Sequence, residues 1–233
     1  LISREALEKL PDFRRRLGWF VRHRPDVLGH LELPGPDDPL DRPNYLLSLP
    51  SRQRLERLLR YVFDEAEFLS PFGVRSLSRV HADHPYVFRA GNADHTVAYI
   101  PGEADSGLFG GNSNWRGPVW FPVNFLLVEA LRRYGAYYGD EFRVECPTGS
   151  GHWRTLTEAA DEVAARLVRL FTPDEAGRRP CHGDAARYAD DPQWRDLILF
   201  YEYYHGDSGR GCGASHQTGW SALAATLIRD RKE

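Results

Sequence analysis

Near its end the chain carries the stretch Phe200-Tyr-Glu-Tyr-Tyr-His-Gly-Asp-Ser-Gly-Arg-Gly-Cys-Gly-Ala-Ser-His-Gln-Thr-Gly-Trp220. One carboxylate, Glu202, stands among aromatic residues, and a glycine-rich loop follows it. Aromatic faces and a single acid beside such a loop are typical of a site that holds a sugar ring and activates water. Glu202 could instead accept hydrogen bonds from the neighbouring tyrosine hydroxyls and have only a structural role. The stretch by itself leaves both interpretations open.

Several other segments have apolar residues at helical spacing, which predicts a mainly α fold. The chain shows no alternation of strand and helix patterns, which argues against a doubly wound sheet. We therefore expect helices packed in antiparallel pairs. The predicted helices are 3–23 with a break at Pro11, a helix that follows Ser51, Pro118 to about Tyr138, about 156–171, and Ser221 to Ile228.

The predicted helices have recognisable N-caps and apolar faces. Ser3, Ser51 and either Thr155 or Thr157 are the expected caps, because their hydroxyls can accept hydrogen bonds from the free amides of a first helical turn. The expected buried faces are Leu55, Leu58, Leu59, Val62 and Phe63 after Ser51; Val123, Leu126, Leu127, Ala130, Leu131 and Tyr134 after Pro118; and Ala160, Val163, Ala164, Leu167, Val168 and Phe171 in the helix at about 156–171.

Three long segments separate the helices. Residues 25–50 are rich in proline and predict an irregular connector, and residues 172–193 predict a polar one. Residues 70–117 mix polar residues with short β-prone runs at Tyr86–Phe88 and Val97–Ile100. Structured loops of this length often carry function.

The composition limits the classes of function. The chain has 233 residues and a formal net charge of -3, so no general affinity for nucleic acid is expected. No apolar run approaches the roughly 20 residues that span a bilayer, and the start shows no signal-peptide pattern. Three widely spaced cysteines do not form a disulfide framework. We expect a cytoplasmic protein with reduced thiols and no membrane or nucleic-acid partner.

The chain begins at Leu1 and contains no methionine. A complete, unprocessed protein carries an initiator methionine. We therefore expect the chain to be part of a longer polypeptide.

A second informative tract is Gly110-Gly-Asn-Ser-Asn-Trp-Arg-Gly-Pro-Val-Trp-Phe-Pro-Val-Asn124. It presents Trp115 and Arg116 just before a helix start. A tryptophan face stacks on a sugar ring, and an arginine can bond to two neighbouring hydroxyls. The alternative is a helix-entry loop in which the tryptophan belongs to the core and the arginine forms a salt bridge.

Further polar residues of the chain could also have a chemical role. Arg75, His81 and His84 lie in the long loop region, where a plain surface loop is the simpler interpretation. Cys181 and His182 are adjacent and could ligate zinc, but one such pair lacks the second pair of ligands that a zinc site needs.

The two tracts together resemble glycoside hydrolase family 63, the family of processing α-glucosidases that includes bacterial glucosidases and mannosylglycerate hydrolases. Asn112-Ser-Asn-Trp-Arg-Gly-Pro-Val-Trp120, followed by Asn124, is similar to the Trp-Arg-Gly-Pro helix entry of that family. Glu202-Tyr-Tyr, Gly209, Gly213-Ala214 and Gly219-Trp220-Ser221 are similar to its C-terminal signature. The resemblance extends over most of residues 50–230.

The resemblance implies a fold class and a reaction. The fold would be an (α/α)6 toroid, incomplete in this chain, with residues 1–233 as the C-terminal portion of one catalytic domain and 25–50 as a connector within it. The reaction would be inverting hydrolysis of an α-glycosidic bond without a cofactor or a metal, on α-linked glucosides or oligosaccharides. The partners would be a carbohydrate substrate and the remainder of the parent polypeptide.

The resemblance also implies roles for individual residues. Glu202 falls at the position of the general base of the family. The family's general acid is an aspartate in a Ser-Gly-x-Asp-like stretch that this chain lacks, so we expect the isolated chain to be inactive. We predict substrate contacts from six residues around Glu202. They are Trp115, Arg116, Trp120, Tyr204, His216 and Trp220. The alternative is a carbohydrate-binding or scaffold toroid without hydrolytic activity.

Overall fold

The structure, a computed structural model, describes residues 1–24, 26, 43–107 and 113–230. Most of the expected connector 25–50, together with Gly110, Gly111 and Asn112 of the second tract, lies outside these residues. Helices form most of the regular structure that is described, as expected. The α-helices are α1 (Arg4–Lys9), α2 (Pro11–His23), α3 (Arg52–Val62), α4 (Phe121–Tyr138), α5 (Leu156–Arg169), α6 (Arg187–Asp190), α7 (Thr218–Ser221) and α8 (Ala224–Asp230).

The helix starts agree with the expected caps. The hydroxyl of Ser3 accepts from Ala6 N at 3.1 Å and that of Ser51 accepts from Arg54 N at 3.4 Å. Thr155, rather than Thr157, caps α5, and it forms a capping box with Glu158. Pro11 begins α2 directly after α1, because proline fits the first turn of a helix but not its interior.

Helices α4 and α5 form the centre of the core and run antiparallel. Gly135, near the end of α4, faces the start of α5, where a side chain on Gly135 would collide with Thr157. At the other end, Phe121 of α4 contacts Phe171, which follows α5, with ring centroids 6.0 Å apart. Antiparallel packing is confirmed for this pair.

The expected buried face is confirmed for α5 and wrong in part for α3 and α4. On α5 it is buried from Ala160 to Phe171. Leu58 of α3 and Val123 and Leu126 of α4 are exposed instead. Helix α4 is apolar on more than one side, so periodicity alone does not select the stripe that a neighbouring helix covers. The residues of α4 that are buried are Phe121, Asn124, Val128, Leu131 and Gly135.

Short strands link the helices, in two-stranded antiparallel sheets throughout the described residues. The expected β-prone run at Tyr86–Phe88 lies in an exposed hairpin, whereas only Val97 of the second run belongs to a strand. The pairs are β1 (Ile2–Ser3) with β2 (Asn44–Tyr45), β3 (Leu69–Ser70) with β4 (Gly73–Val74), β5 (Tyr86–Ala90) with β6 (Ala93–Val97), β7 (Arg143–Glu145) with β8 (Trp153–Thr155), and β9 (Tyr203–Tyr204) with β10 (Gly211–Cys212).

Two other expectations need correction. The last predicted helix is divided into α7 and α8. The helix expected from Pro118 begins only at Phe121, because the backbone of Val119 forms bridges to Arg75 and Tyr204. Val119 N donates to Tyr204 O at 2.8 Å, and Tyr204 N donates to Val119 O at 2.9 Å. This bridge places the tract before α4 beside the strand that follows Glu202.

None of the helices in the described part of the chain has the length and apolarity needed to cross a membrane.

Candidate functional site

The two tracts that the sequence singles out meet at the carboxylate of Glu202. Ser113, from the second tract, donates its hydroxyl to Glu202 Oε1 at 3.0 Å. Ala214 N, from the loop after β10, donates to Glu202 Oε2 at 3.1 Å, and Glu202 N donates to Ala214 O at 2.9 Å. Each oxygen of a carboxylate can accept more than one hydrogen bond, so this half-buried group is fixed in place and can still accept a hydrogen bond from water.

Gly213 lets the backbone approach this carboxylate. It has a φ of 68°, in the left-handed region that glycine adopts without strain. A Cβ at this position would lie 2.6 Å from Glu202 Oε2. The hairpin of β9 and β10 therefore needs glycine here to hold its amides against Glu202.

A stack of aromatic rings lies beside Glu202. The rings of Trp115 and Trp120 are nearly parallel, with centroids 4.0 Å apart, and Tyr203 continues the stack 4.8 Å from Trp120. Trp220 meets Trp120 edge-on, and its Nε1 donates to the backbone oxygen of Glu202 at 2.9 Å. Trp115 and Trp220 are each 40% exposed, whereas Trp120 is 3% exposed. The outer tryptophans thus offer apolar surface next to the carboxylate, and Trp120 supports them.

Arg116 is only 5% exposed, and the structure gives it the salt-bridge role that was the alternative for this residue. Its Nη2 donates to Asp105 Oδ1 at 2.6 Å, and its Nε donates to Asn114 Oδ1 at 3.3 Å. The Asn114 side chain in turn donates to the backbone oxygens of Ile100 and Gly102. The guanidinium of Arg116 lowers the pKa of Asp105. Arg116 therefore joins two loops, and its contact with a sugar stays a prediction.

Tyr204 and His216 lie in two different environments. The ring of Tyr204 is fully buried and packs edge-on against Phe171 at 5.8 Å, so it presents no surface to a ligand. His216 is exposed, and its ring lies 5.9 Å from that of Phe200. The structure thus brings Trp115, Trp120 and Trp220 together around Glu202 and places Tyr204 in the core.

Glu103 belongs to the same site, although the sequence analysis did not single it out. Its Oε1 accepts from Gly213 N at 3.2 Å, and its Oε2 accepts from the hydroxyl of Tyr203 at 2.9 Å. Burial, and then this hydrogen bond, raise the pKa of Tyr203, which therefore remains a donor. No local motif marks Glu103, and only its place in the long loop region 70–117 pointed toward function.

Arg75, the first of the further polar residues, has a structural role in the loop layer, which is formed by the loops that carry Arg75, Asn114, Arg116 and Asp207. Its Nη2 donates to Asp207 Oδ1 at 2.9 Å and its Nε donates to the hydroxyl of Tyr99 at 3.0 Å. Burial raises the pKa of Tyr99 to about 12, so the phenol stays protonated and donates to Asp207. This network ties the turn between β9 and β10 to the rest of the loops.

The zinc interpretation gains no support from the described residues. They contain no group of three or more histidine, cysteine or acidic side chains that could hold a metal ion. Burial raises the pKa of the Cys181 thiol to about 12, although a zinc ligand must be a thiolate. His182 Nε2 accepts from Leu199 N at 3.4 Å.

A carboxylate fixed in a site with exposed tryptophans is compatible with carbohydrate binding, and comparison with known proteins identifies the class of the domain. The family model described as "Mannosylglycerate hydrolase MGH1-like glycoside hydrolase domain" matches residues 43–221. The chain belongs to this family of glycoside hydrolases, within glycoside hydrolase family 63. The predicted family is therefore confirmed.

Three curated proteins show the range of similarity. An uncharacterized protein of Saccharomyces cerevisiae is 47% identical over 96% of this chain. The mannosyl-oligosaccharide glucosidase of the same yeast is 22% identical over 75% of the chain, and a probable mannosyl-oligosaccharide glucosidase of Schizosaccharomyces pombe is 23% identical over 76%. The chain covers 21%, 15% and 15% of the lengths of these relatives.

Proposed function

We propose that this chain supplies the general base and part of the sugar-binding surface of an inverting glycosidase. The observation that carries the proposal is the geometry of Glu202. Both of its oxygens accept a hydrogen bond, one from Ser113 and one from Ala214 N, and the partly exposed Trp220 donates to its backbone oxygen. In inverting hydrolysis such a carboxylate removes a proton from the water that attacks the sugar.

The general acid would come from outside this chain. Inverting enzymes place the acid and the base about 6.5–9.5 Å apart, with a water molecule between one of them and the sugar. We propose that residues 1–233 are the C-terminal portion of an (α/α)6 toroid and that the remaining polypeptide completes the ring. The relatives, which are several times longer than this chain, support this proposal.

The proposed substrates are α-linked glucosides or oligosaccharides. Two of the similar proteins are named as mannosyl-oligosaccharide glucosidases, and the family model is named for mannosylglycerate hydrolase. Trp115 and Trp220 are the proposed contacts to sugar rings, with Trp120 as the support behind them. Arg116 and Tyr204 would act only by positioning these groups, and His216 would contact a more distant part of the substrate.

The test is turnover of defined α-glucosides by the complete gene product that carries this chain. Glu202→Gln keeps the size of the side chain and removes its basicity, so we expect turnover to fall by at least about 1,000-fold while the substrate still binds. Glu8→Gln, on the exposed surface of α1, is the matched control and should retain full activity. Near-normal turnover by Glu202→Gln would remove Glu202 from the role of base.

The isolated chain provides a second test, since we expect it to show no turnover. The partly exposed Trp115 and Trp220 would also suit a second candidate function, a carbohydrate-binding or scaffold domain without hydrolytic activity. Sugar binding without turnover by the complete gene product would select that function. Glu202-dependent turnover by the isolated chain would contradict the proposed division of acid and base.

A further inference from the structure

We propose that Glu103 is the positioning residue that holds the catalytic base in place. This inference rests on the proposed function, since it assigns a role relative to Glu202. Glu103 makes no direct hydrogen bond to Glu202 that the structure records. It accepts hydrogen bonds instead from Gly213, which precedes the amide donor Ala214, and from Tyr203, which follows Glu202.

The first contact of Glu103 lies next to the backbone amide that donates to the base. Glu103 Oε1 accepts from Gly213 N at 3.2 Å, and the next amide in the chain, Ala214 N, donates to Glu202 Oε2 at 3.1 Å. Two acidic side chains thus bind two successive amides. Glycine permits many backbone conformations, so Gly213 needs an external partner to keep Ala214 N aimed at Glu202.

The second contact holds the residue that follows the base in the chain. Glu103 Oε2 accepts from the hydroxyl of Tyr203, the residue that follows Glu202. Tyr203 is fully buried and its ring supports Trp120 and, through it, Trp115. Glu103 therefore connects the position of the base to the position of the tryptophan surface.

Glu103 is itself exposed, so solvent weakens each of its contacts, but the two contacts together orient one carboxylate. Groups that orient a reacting side chain have a large effect on rate, because a displacement of about 1 Å can cost about 100-fold. A residue with this role should change the rate of reaction more than the binding of substrate.

The experiment is steady-state kinetics of the complete gene product with Glu103→Ala and Glu103→Gln. We expect Glu103→Ala to lower kcat by about 10-fold to 100-fold and to change KM by less than about 3-fold. Glu103→Gln should recover most of this loss, since its amide oxygen can accept from Gly213 N and its amide nitrogen can donate to the oxygen of Tyr203. Tyr203→Phe removes one of the two contacts and should have an intermediate effect.

The outcomes separate this role from others. If Glu103→Ala changes only KM, Glu103 binds substrate rather than positioning the base. If the kinetics of Glu103→Ala are unchanged, Glu103 has no such role. Either result would overturn the proposal. Equal losses in Glu103→Ala and Glu103→Gln would overturn it as well, because the conservative change should restore the hydrogen bonds.

A readout independent of activity separates failure of this inference from failure of the proposed function. Glu103→Ala should speed hydrogen exchange at the amides of Gly213 and Ala214, whether or not Glu202 is a base. Unchanged exchange at both amides would overturn the positioning role while leaving Glu202 untouched. Faster exchange in Glu103→Ala, together with normal turnover in Glu202→Gln, would refute the role of Glu202 as the base. The contacts of Glu103 would still be confirmed.

Discussion

The helix pair of α4 and α5 and the loop layer around Glu202 are stabilised in different ways. In the helix pair, side chains such as Val163 and Leu167 are fully buried among other apolar groups. In the loop layer, buried polar side chains such as Arg75, Asn114 and Arg116 bond to backbone oxygens and acidic groups. Apolar packing accepts many neighbours, whereas each hydrogen bond needs a donor and an acceptor within a narrow range of distance and angle. The contacts of the loop layer are therefore the more geometrically specific of the two.

The largest stability effect is expected in the helix pair. Leu167→Ala should lower the free energy of unfolding by about 3–5 kcal/mol, since it removes a fully buried side chain and leaves a cavity. Leu126→Ala on α4 is the matched control, and because Leu126 is 67% exposed its effect should stay within about 0.5 kcal/mol. Urea unfolding measures both variants. Equal losses would contradict the described division between covered and uncovered faces.

A smaller effect is expected from the loss of the polar contacts of Arg75 in the loop layer. Arg75→Met should cost about 2–3 kcal/mol, because it leaves Tyr99 and Asp207 without their buried guanidinium partner. Arg89→Met is the matched control: its pair with Asp94 is exposed and screened by solvent, so its loss should have the smaller effect. Urea unfolding of both variants tests the pair, and a cost for Arg75→Met no larger than that for Arg89→Met would show that the loops do not depend on this network.

The smallest effect is expected at the start of α5. Thr155→Ala removes the hydroxyl that accepts from Glu158 N at 3.2 Å and should cost about 1 kcal/mol. Thr157→Ala, two residues further on, should cost less than about 0.5 kcal/mol, since Thr157 does not cap the helix. Thermal unfolding resolves the two variants. The reverse order of effects would move the cap to Thr157.

The parts of the site differ in how far the sequence alone predicts them. Trp115, Trp220 and Glu202 stand in local patterns of residue type, so the sequence alone pointed to them. The salt-bridge partner of Arg116 could not be identified from the sequence, because Asp105 lies eleven residues away in a segment without regular spacing. Glu103 was missed for the same reason, since its partners are 100 and 110 residues distant in the chain.

The sequence by itself determined the caps at Ser3 and Ser51, the buried face of α5 and the family. Caps and helical periodicity depend on residues within one or two turns of each other, and the family signature depends on two short tracts. Only the tertiary structure decided which face of α4 is covered, that Arg116 holds a loop and that Glu103 supports the neighbours of Glu202. These features depend on contacts between distant segments, where distance and direction, rather than residue type, determine whether a hydrogen bond or a packed interface forms.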